Sequence, residues 1–216
     1  MSRVIHSKYA LLDIVADKLR EAVVFEGIAE RNLLHTEREW RRSFKERLKR
    51  ARKKKKIGWH DEDYFWDWRS KQPSEEAVLD LPSFALEIDG LTEGLLWLNL
   101  GIEYRSHSGG GMKKLVYVDF VAAAPWNRPQ PDDTPKKFYG VGLALIDVAV
   151  AVSYAEGCDG RIGLHSLPRA EEFYEKKCQM QDFGPDAKHR NKLRYYEMSD
   201  AQAKAFRAQI TSGMRI

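Results

Sequence analysis

The chain has 216 residues, 43% hydrophobic and 31% charged, with a net charge of +4, which is ample for one globular core with or without an extension. Its two cysteines, Cys158 and Cys178, exclude a disulfide framework and offer no metal-ligand spacing, so no metal is expected. The start, Met1 to Lys8, lacks the apolar stretch of a secretory signal, and the longest apolar run, Val141 to Val152, is broken by Asp147 and falls short of the ~20 residues that span a bilayer, so a cytoplasmic protein without a membrane partner is expected.

Residues 8–30 read as an amphipathic helix, with Leu11, Leu12, Ile14, Val15 and Leu19, then Val23, Val24 and Ile28, near helical spacing. A second helix is expected from Thr36, an N-cap with Glu39 three residues on, to Gly58. Its stretch from Glu37 to Lys56 holds twelve Lys or Arg against three acids, which leaves the rest of the chain net negative. Trp40, Phe44 and Leu48 form its one apolar stripe, and the aromatic and acidic run from Trp59 to Trp68 would dock it onto the rest. Residues 1–80 are thus expected to be a helical, basic N-terminal extension and residues 81–216 the main domain. The charge run from Arg38 to Lys56 is either a solvated helix face or a contact for nucleic acid, with Trp40 and Phe44 adding stacking.

From Phe84 the pattern turns to strands. Phe84–Gly90 and Gly94–Tyr104 flank an Asp-Gly-Leu-Thr turn, and Gly109–Gly111 connects them to a strand from Leu115 to Ala123. The Pro- and Asp-rich stretch between Arg128 and Lys137 is a loop. It leads into Lys137-Phe-Tyr-Gly140-Val-Gly142 and an apolar helix from Leu143 to Tyr154. A strand, a glycine turn and a helix starting at that turn suit a phosphate-bearing ligand, because first-turn amides have no internal partners and the helix dipole favours an anion there. A second strand, Gly160–Leu167, and a helix from Pro168 to Met180 follow. A late strand, Leu193–Met198, and a helix capped by Ser199 or Asp200 complete the set.

Two of these segments together resemble the GNAT superfamily of acyl-CoA-dependent N-acetyltransferases. Lys137, Gly140 and Gly142 stand where its first motif has Gln/Arg-x-x-Gly-x-Gly/Ala. Ala170, Tyr174, Glu175 and Lys176 match its Ala-x-x-x-Tyr-Glu-Lys helix. The resemblance covers about residues 84–200, and the blocks 124–128, 163–168 and 193–198 look like a bacterial subgroup. It departs from the family at Lys137 (Gln/Arg), at Leu167 (usually Asn) and at Gln179-Met180 (usually Gly-Phe).

The resemblance implies an α/β fold, a mixed, mostly antiparallel sheet flanked by helices with two central strands splayed apart, and direct acetyl transfer from acetyl-CoA to a primary amine. Backbone amides of Gly140, Val141, Gly142 and Leu143, with Lys137 beside them, would hold the pyrophosphate. The strand edge at Val121 and Ala123 would pair with the pantetheine arm. Tyr174 would return a proton to the thiolate. For the base, the residues leave three candidates open. Asp119, an acid within an apolar strand, either faces the cleft or pairs with a partner such as Arg161. His165 and Glu103 are the others, and histidine titrates in the useful range. Strand alternation would put Val118, Phe120 and Ala122 on one face and Tyr117, Asp119 and Val121 on the other. The acceptor (small molecule, peptide or aminoacyl amine) is not readable, nor is the oligomeric state, a homodimer being one option. The alternative function is a non-catalytic module that uses the basic arm to bind nucleic acid or protein.

Overall fold

The computed structural model describes residues 3–72, 80–101, 104–108, 113–189 and 191–214. The chain begins with a hairpin and not with the expected helix: β1 (Ile5–Asp13) and β2 (Lys18–Glu26) pair antiparallel. Their inward side chains recur every second residue, with Tyr9, Leu11, Ala22 and Val24 fully buried. The helical spacing depended on Leu12, Val15 and Leu19, which are exposed. Asp17 takes a left-handed conformation, and the Asp13 carboxylate accepts the Ala16 amide, so the two runs are joined by a tight turn.

A helical run follows: α1 (Glu30–His35), a π-helical turn (Thr36–Trp40) and α2 (Arg41–Lys53). It starts earlier than expected because Asn32 Oδ1 accepts the Ala29 amide at 2.9 Å, while Thr36 lies inside the run with its hydroxyl on the Leu33 carbonyl. It stops at Lys54, ahead of Gly58, where Lys55 turns left-handed.

The remaining elements are β3 (Ser83–Ile88), β4 (Leu91–Asn99), β5 (Val116–Ala123), β6 (Phe138–Tyr139), α3 (Val141–Ala155), β7 (Ile162–Ser166), β8 (Gln181–Pro185), β9 (Arg194–Met198) and α4 (Asp200–Gly213). Between β7 and β8 lie a short 3₁₀ turn, Pro168–Ala170, and a π-helical turn, Phe173–Lys177, where the sequence reading placed one helix. Of the two caps the sequence offered for α4, Ser199 is the one used: its hydroxyl accepts the Gln202 amide and its own amide donates to Gln202 Oε1. Among the described residues nine strands form one sheet in the order β6-β1-β2-β3-β4-β5-β7-β9-β8, antiparallel except between β5 and β7. Because β2 pairs with β3, the sheet runs straight across the expected division at residue 80. The first eighty residues therefore contribute two strands as well as helices.

The sheet separates two cores. On one face α3 and α4 cover Leu86, Leu96, Val118 and Leu164. On the other, Leu33, Trp40 and Trp68 pack on Ala85, Leu95 and Trp97. As expected, the aromatic run docks here: Trp66 meets Phe120 edge-on at 5.1 Å and Trp68 lies 5.8 Å from Trp97. α2 is anchored through Arg47, which is 2% exposed and makes a bidentate pair with Asp61 at 2.8 and 2.9 Å. The same guanidinium donates to the Pro125 and Pro129 carbonyls, fastening α2 to the loop that leads to α3.

Candidate active site

The site is set by two irregularities in β5. Trp97 lies opposite Phe120, but Leu98 lies opposite Val118, so no β4 residue stands opposite Asp119 in the register and it forms a bulge. The expected alternation therefore breaks. Val118 and Val121 both join the α3 core, and Phe120 and Ala122 pack on the other face, which also carries Tyr117. Second, β5 pairs with β7 only at Val116–Ile162 and Tyr117–Gly163, after which the two parallel strands part. The Ala124 amide bonds back to Glu93 on β4. By strand alternation, Ala123 and Val121 turn their backbone groups toward the opening.

α3 begins beside the far end of that opening. Gly140, at φ 98°, is its N-cap, with no side chain capping the helix and no acid in the first turn. The Ala144 amide is the first to bond within the helix, to the Gly140 carbonyl, which leaves the amides of Val141, Gly142 and Leu143 for an outside acceptor. A Cβ on Gly142 would sit 2.9 Å from the Phe173 ring, so the Tyr174-bearing turn closes onto this helix start. Lys137 lies with Nζ 3.8 Å from Glu93 Oε1 and over the Phe138 ring.

Tyr174 is buried between Phe173 and Tyr196 on the α3 side of the sheet, where burial raises its phenol pKa. Arg128 and Asp63 stand close enough to act on its charge. They form a bidentate pair at 2.6 and 2.8 Å, and Arg128 also donates to the Ala123 carbonyl at 2.8 Å. One of the acceptors on the open strand edge is thus already taken. The segment carrying Asp63 reaches across the opening, for Glu62 accepts the Arg169 amide beyond β7.

On the opposite face lie the other two candidates. The Asp119 carboxyl is raised by burial, against a 3.1 Å bond from Asn99 and the charge of Lys71. Arg161 is not its partner, since it pairs with Asp159 and Asp200. His165 Nδ1 lies 2.6 Å from the Tyr117 hydroxyl and Nε2 lies 3.1 Å from Asp186. Burial lowers the His165 pKa, with Asp186 opposing, and burial raises the Tyr117 phenol. Tyr104 stacks on Tyr117 at 4.2 Å and His189 stacks on His165 at 4.3 Å. The fold thus groups Tyr117, His165 and Asp186 but keeps Tyr174 on the other side. Tyr117, read from the sequence only as a strand residue on the face of Asp119, and Asp186 were not among the candidate site residues. A tyrosine in register with the strand that bears the histidine was the available signal. Glu103 and Gly109–Gly111 lie outside the described residues. Among the described residues no cluster of three or more His, Cys, Asp or Glu is placed to hold a metal, and no helix is long and apolar enough to cross a membrane.

No protein-family model and no curated protein sequence matches the chain. Solved structures do. An uncharacterised protein from Bacillus halodurans superposes with a TM-score of 0.52 at 11% identity, over 95% of this chain and 97% of that one. A protein of the yellow fever mosquito assigned as arylalkylamine N-acetyltransferase 7 gives 0.52 at 10% identity, over 92% and 95%. One from Desulfovibrio desulfuricans, assigned as an acetyltransferase of the GNAT family, gives 0.50 at 11% identity, over 83% and 99%. The chain has the GNAT acetyltransferase fold, a large mostly antiparallel sheet flanked by helices.

Proposed function

We propose that the protein is an acetyl-CoA-dependent N-acetyltransferase that moves the acetyl group directly to a primary amine. The observation that carries this reading is the parting of β5 from β7, with the uncapped start of α3 at the far end of the opening. A long thin ligand with a phosphate at one end fits that arrangement: free amides at one end, an open strand edge along its length. When bound, acetyl-CoA would supply an activated acetyl thioester and a thiolate leaving group. Gly140 to Leu143 would bind the pyrophosphate through backbone amides, with Lys137 lending charge. Val121 and Ala123 would receive the pantetheine arm, with Arg128 yielding the Ala123 carbonyl. Tyr174 would donate its proton to the departing sulfur from the α3 side, while the amine enters from the opposite face, where Asp119 and His165 lie. Burial raises the pKa of this phenol, so Tyr174 stands protonated at neutral pH, as a donor must.

Calorimetric titration with acetyl-CoA and with CoA tests the reading, followed by a panel of amines that includes tryptamine, peptides and aminoacyl-tRNA. Micromolar binding of acetyl-CoA with amine-dependent release of CoA is the expected result. No binding of either nucleotide would sink it.

A second reading concerns the basic helix. Lys45, Lys49 and Arg52 to Lys56 form no ion pair among the described residues, and all are exposed. A polyanion such as RNA would find unneutralised charge there. Binding that weakens steeply with salt, and is lost on reversing the charge of Lys53 to Lys56, would favour it.

A further inference from the structure

We infer that Tyr117, His165 and Asp186 form a proton relay that takes the proton of the incoming ammonium, with Tyr117 as the group that touches the amine. This rests on the acetyl-transfer reading above. Three observations lead to it. The Tyr117 hydroxyl, His165 and the Asp186 carboxylate lie in one hydrogen-bonded line, at 2.6 and 3.1 Å. Tyr117 is the last residue of β5 paired with β7, so the relay begins where the cleft opens. The line runs from a buried phenol, 7% exposed, to a carboxylate that is 35% exposed, and so from cleft to solvent.

The donor order follows from the chemistry. Asp186 is an ionised acceptor, held below the usual range by the Lys188 amide and by His165, so His165 must present Nε2–H to it. That fixes the neutral tautomer and leaves the Nδ1 lone pair facing Tyr117, whose O–H must then be the donor. The remaining lone pairs on Tyr117 Oη are basic sites for a substrate proton. In the relay step one ammonium N–H bond breaks and a Tyr117 O–H bond forms. At the same time the original Tyr117 proton passes to Nδ1, leaving an imidazolium beside the Asp186 carboxylate. The imidazolium then loses its extra proton to water. Nothing is oxidised or reduced, and the amine is left neutral for attack on the thioester. Asp186 acts through His165 and is a positioning residue; Tyr104 holds the Tyr117 ring by stacking.

Other titratable groups face this line: His189 over His165, His107 and Tyr195 beside it, Glu197 bonded to the His107 amide, and Asp119 two residues along β5. None of them lies between Tyr117 and His165.

The test uses Tyr117→Phe, which keeps the ring stacked on Tyr104, and Asp186→Asn, each with the full chain. Nitrogen-detected NMR of the histidine rings should show His165 neutral as the Nε2–H tautomer at pH 7, and its pKa should fall in Asp186→Asn as the carboxylate that favours the imidazolium is lost. With tryptamine as the probe amine, the acid limb of the pH dependence of CoA release should move down by the same amount. Tyr117→Phe should lower turnover about 10²-fold with acetyl-CoA binding unchanged by calorimetry. An Nδ1–H tautomer, an unmoved His165 pKa, or full turnover in Tyr117→Phe would overturn the relay while acetyl-CoA still binds. Loss of acetyl-CoA binding in the wild-type protein would instead overturn the acetyl-transfer reading itself.

Discussion

Val118 and Val121, three residues apart on one strand, point to the same face of the sheet because the bulge at Asp119 absorbs the odd residue between them. A bulge bends and twists the strand that carries it. Here it sits just past the last residue of β5 that pairs with β7, which links the local defect to the opening of the cleft. Deleting Asp119 should restore regular pairing with β4, with Phe120 and Val121 keeping their present faces and the bend of the strand lost. The expected outcome is a protein that still unfolds cooperatively but binds acetyl-CoA at least about tenfold more weakly. Undiminished binding would show that the bulge does not hold the strands apart.

Replacing Tyr174 by Phe removes only a hydroxyl from a buried ring packed against Phe173 and Tyr196. If that hydroxyl protonates the thiolate, kcat should drop by about 10²-fold while the acetyl-CoA dissociation constant stays within about twofold. Unchanged kcat would remove Tyr174 from the reaction and leave it a packing residue.

The Arg47–Asp61 pair is buried on both sides, at 2% and 6% exposure. Breaking such a pair from the arginine side leaves the buried Asp61 with the Arg128 guanidinium at 3.7 Å as counter-charge, so the cost is up to about 3–5 kcal/mol. Arg47→Met alone should therefore destabilise strongly in urea, and the double variant Arg47→Met/Asp61→Leu should recover part of the loss. Equal stability of the single and double variants would mean that the carbonyl bonds to Pro125 and Pro129 carry the anchoring instead.

Glu93 is fully buried, and Oε1 has no hydrogen-bond partner. Burial pushes its carboxyl above the usual range, against the bonds from Trp126 and Asn127 and the charge of Lys137. A carboxyl raised in the folded state favours the folded form when protonated. Its contribution is present below the unfolded value of about 4.3 and is lost as pH rises through the folded one. Glu93→Gln does not titrate, so its melting temperature relative to wild type should climb between pH 4 and pH 8. A flat difference over that window would contradict the assignment.

Gly140 adopts φ 98° where α3 begins, a conformation that L side chains rarely take. Gly140→Ala should lose about 1–3 kcal/mol in denaturant unfolding. Gly142→Ala has no such backbone strain, but its Cβ would press on the Phe173 ring at 2.9 Å and push the Tyr174-bearing turn away from the helix start. Its effect should fall on acetyl-CoA affinity more than on stability, and the reverse pattern would argue that the turn serves packing alone.

The second half of the chain was legible because its strands and helices carry one period each. The strand from Leu115, the glycine turn, the apolar helix and the Ser199 cap all lie close to where the pattern put them. The hairpin β1–β2 was not, because Leu12, Val15 and Leu19 are apolar yet exposed and fill in a false helical stripe. β8 has three half-exposed residues between two exposed ones, with no alternation to read. The bulge is a property of how two strands pair, and no single strand's sequence records it. The grouping of Tyr117 with His165 spans 48 positions, and Asp186 joins from a loop 21 residues further along. Each residue is ordinary where it stands, and only the parallel pairing of β5 and β7 brings them together.

The pairing of β2 with β3 bears on how this protein can be dissected. A fragment cut at residue 81 would lose both β2 and α1, so β3 would become the rim of a sheet with its backbone amides and carbonyls unpaired. Phe84, Ala85, Leu86 and Ile88 along that rim are all buried in the whole chain. Such an exposed apolar rim invites strand addition from another copy. The shortened chain would aggregate during expression, and the basic helix is better probed by exchanging its charges in place.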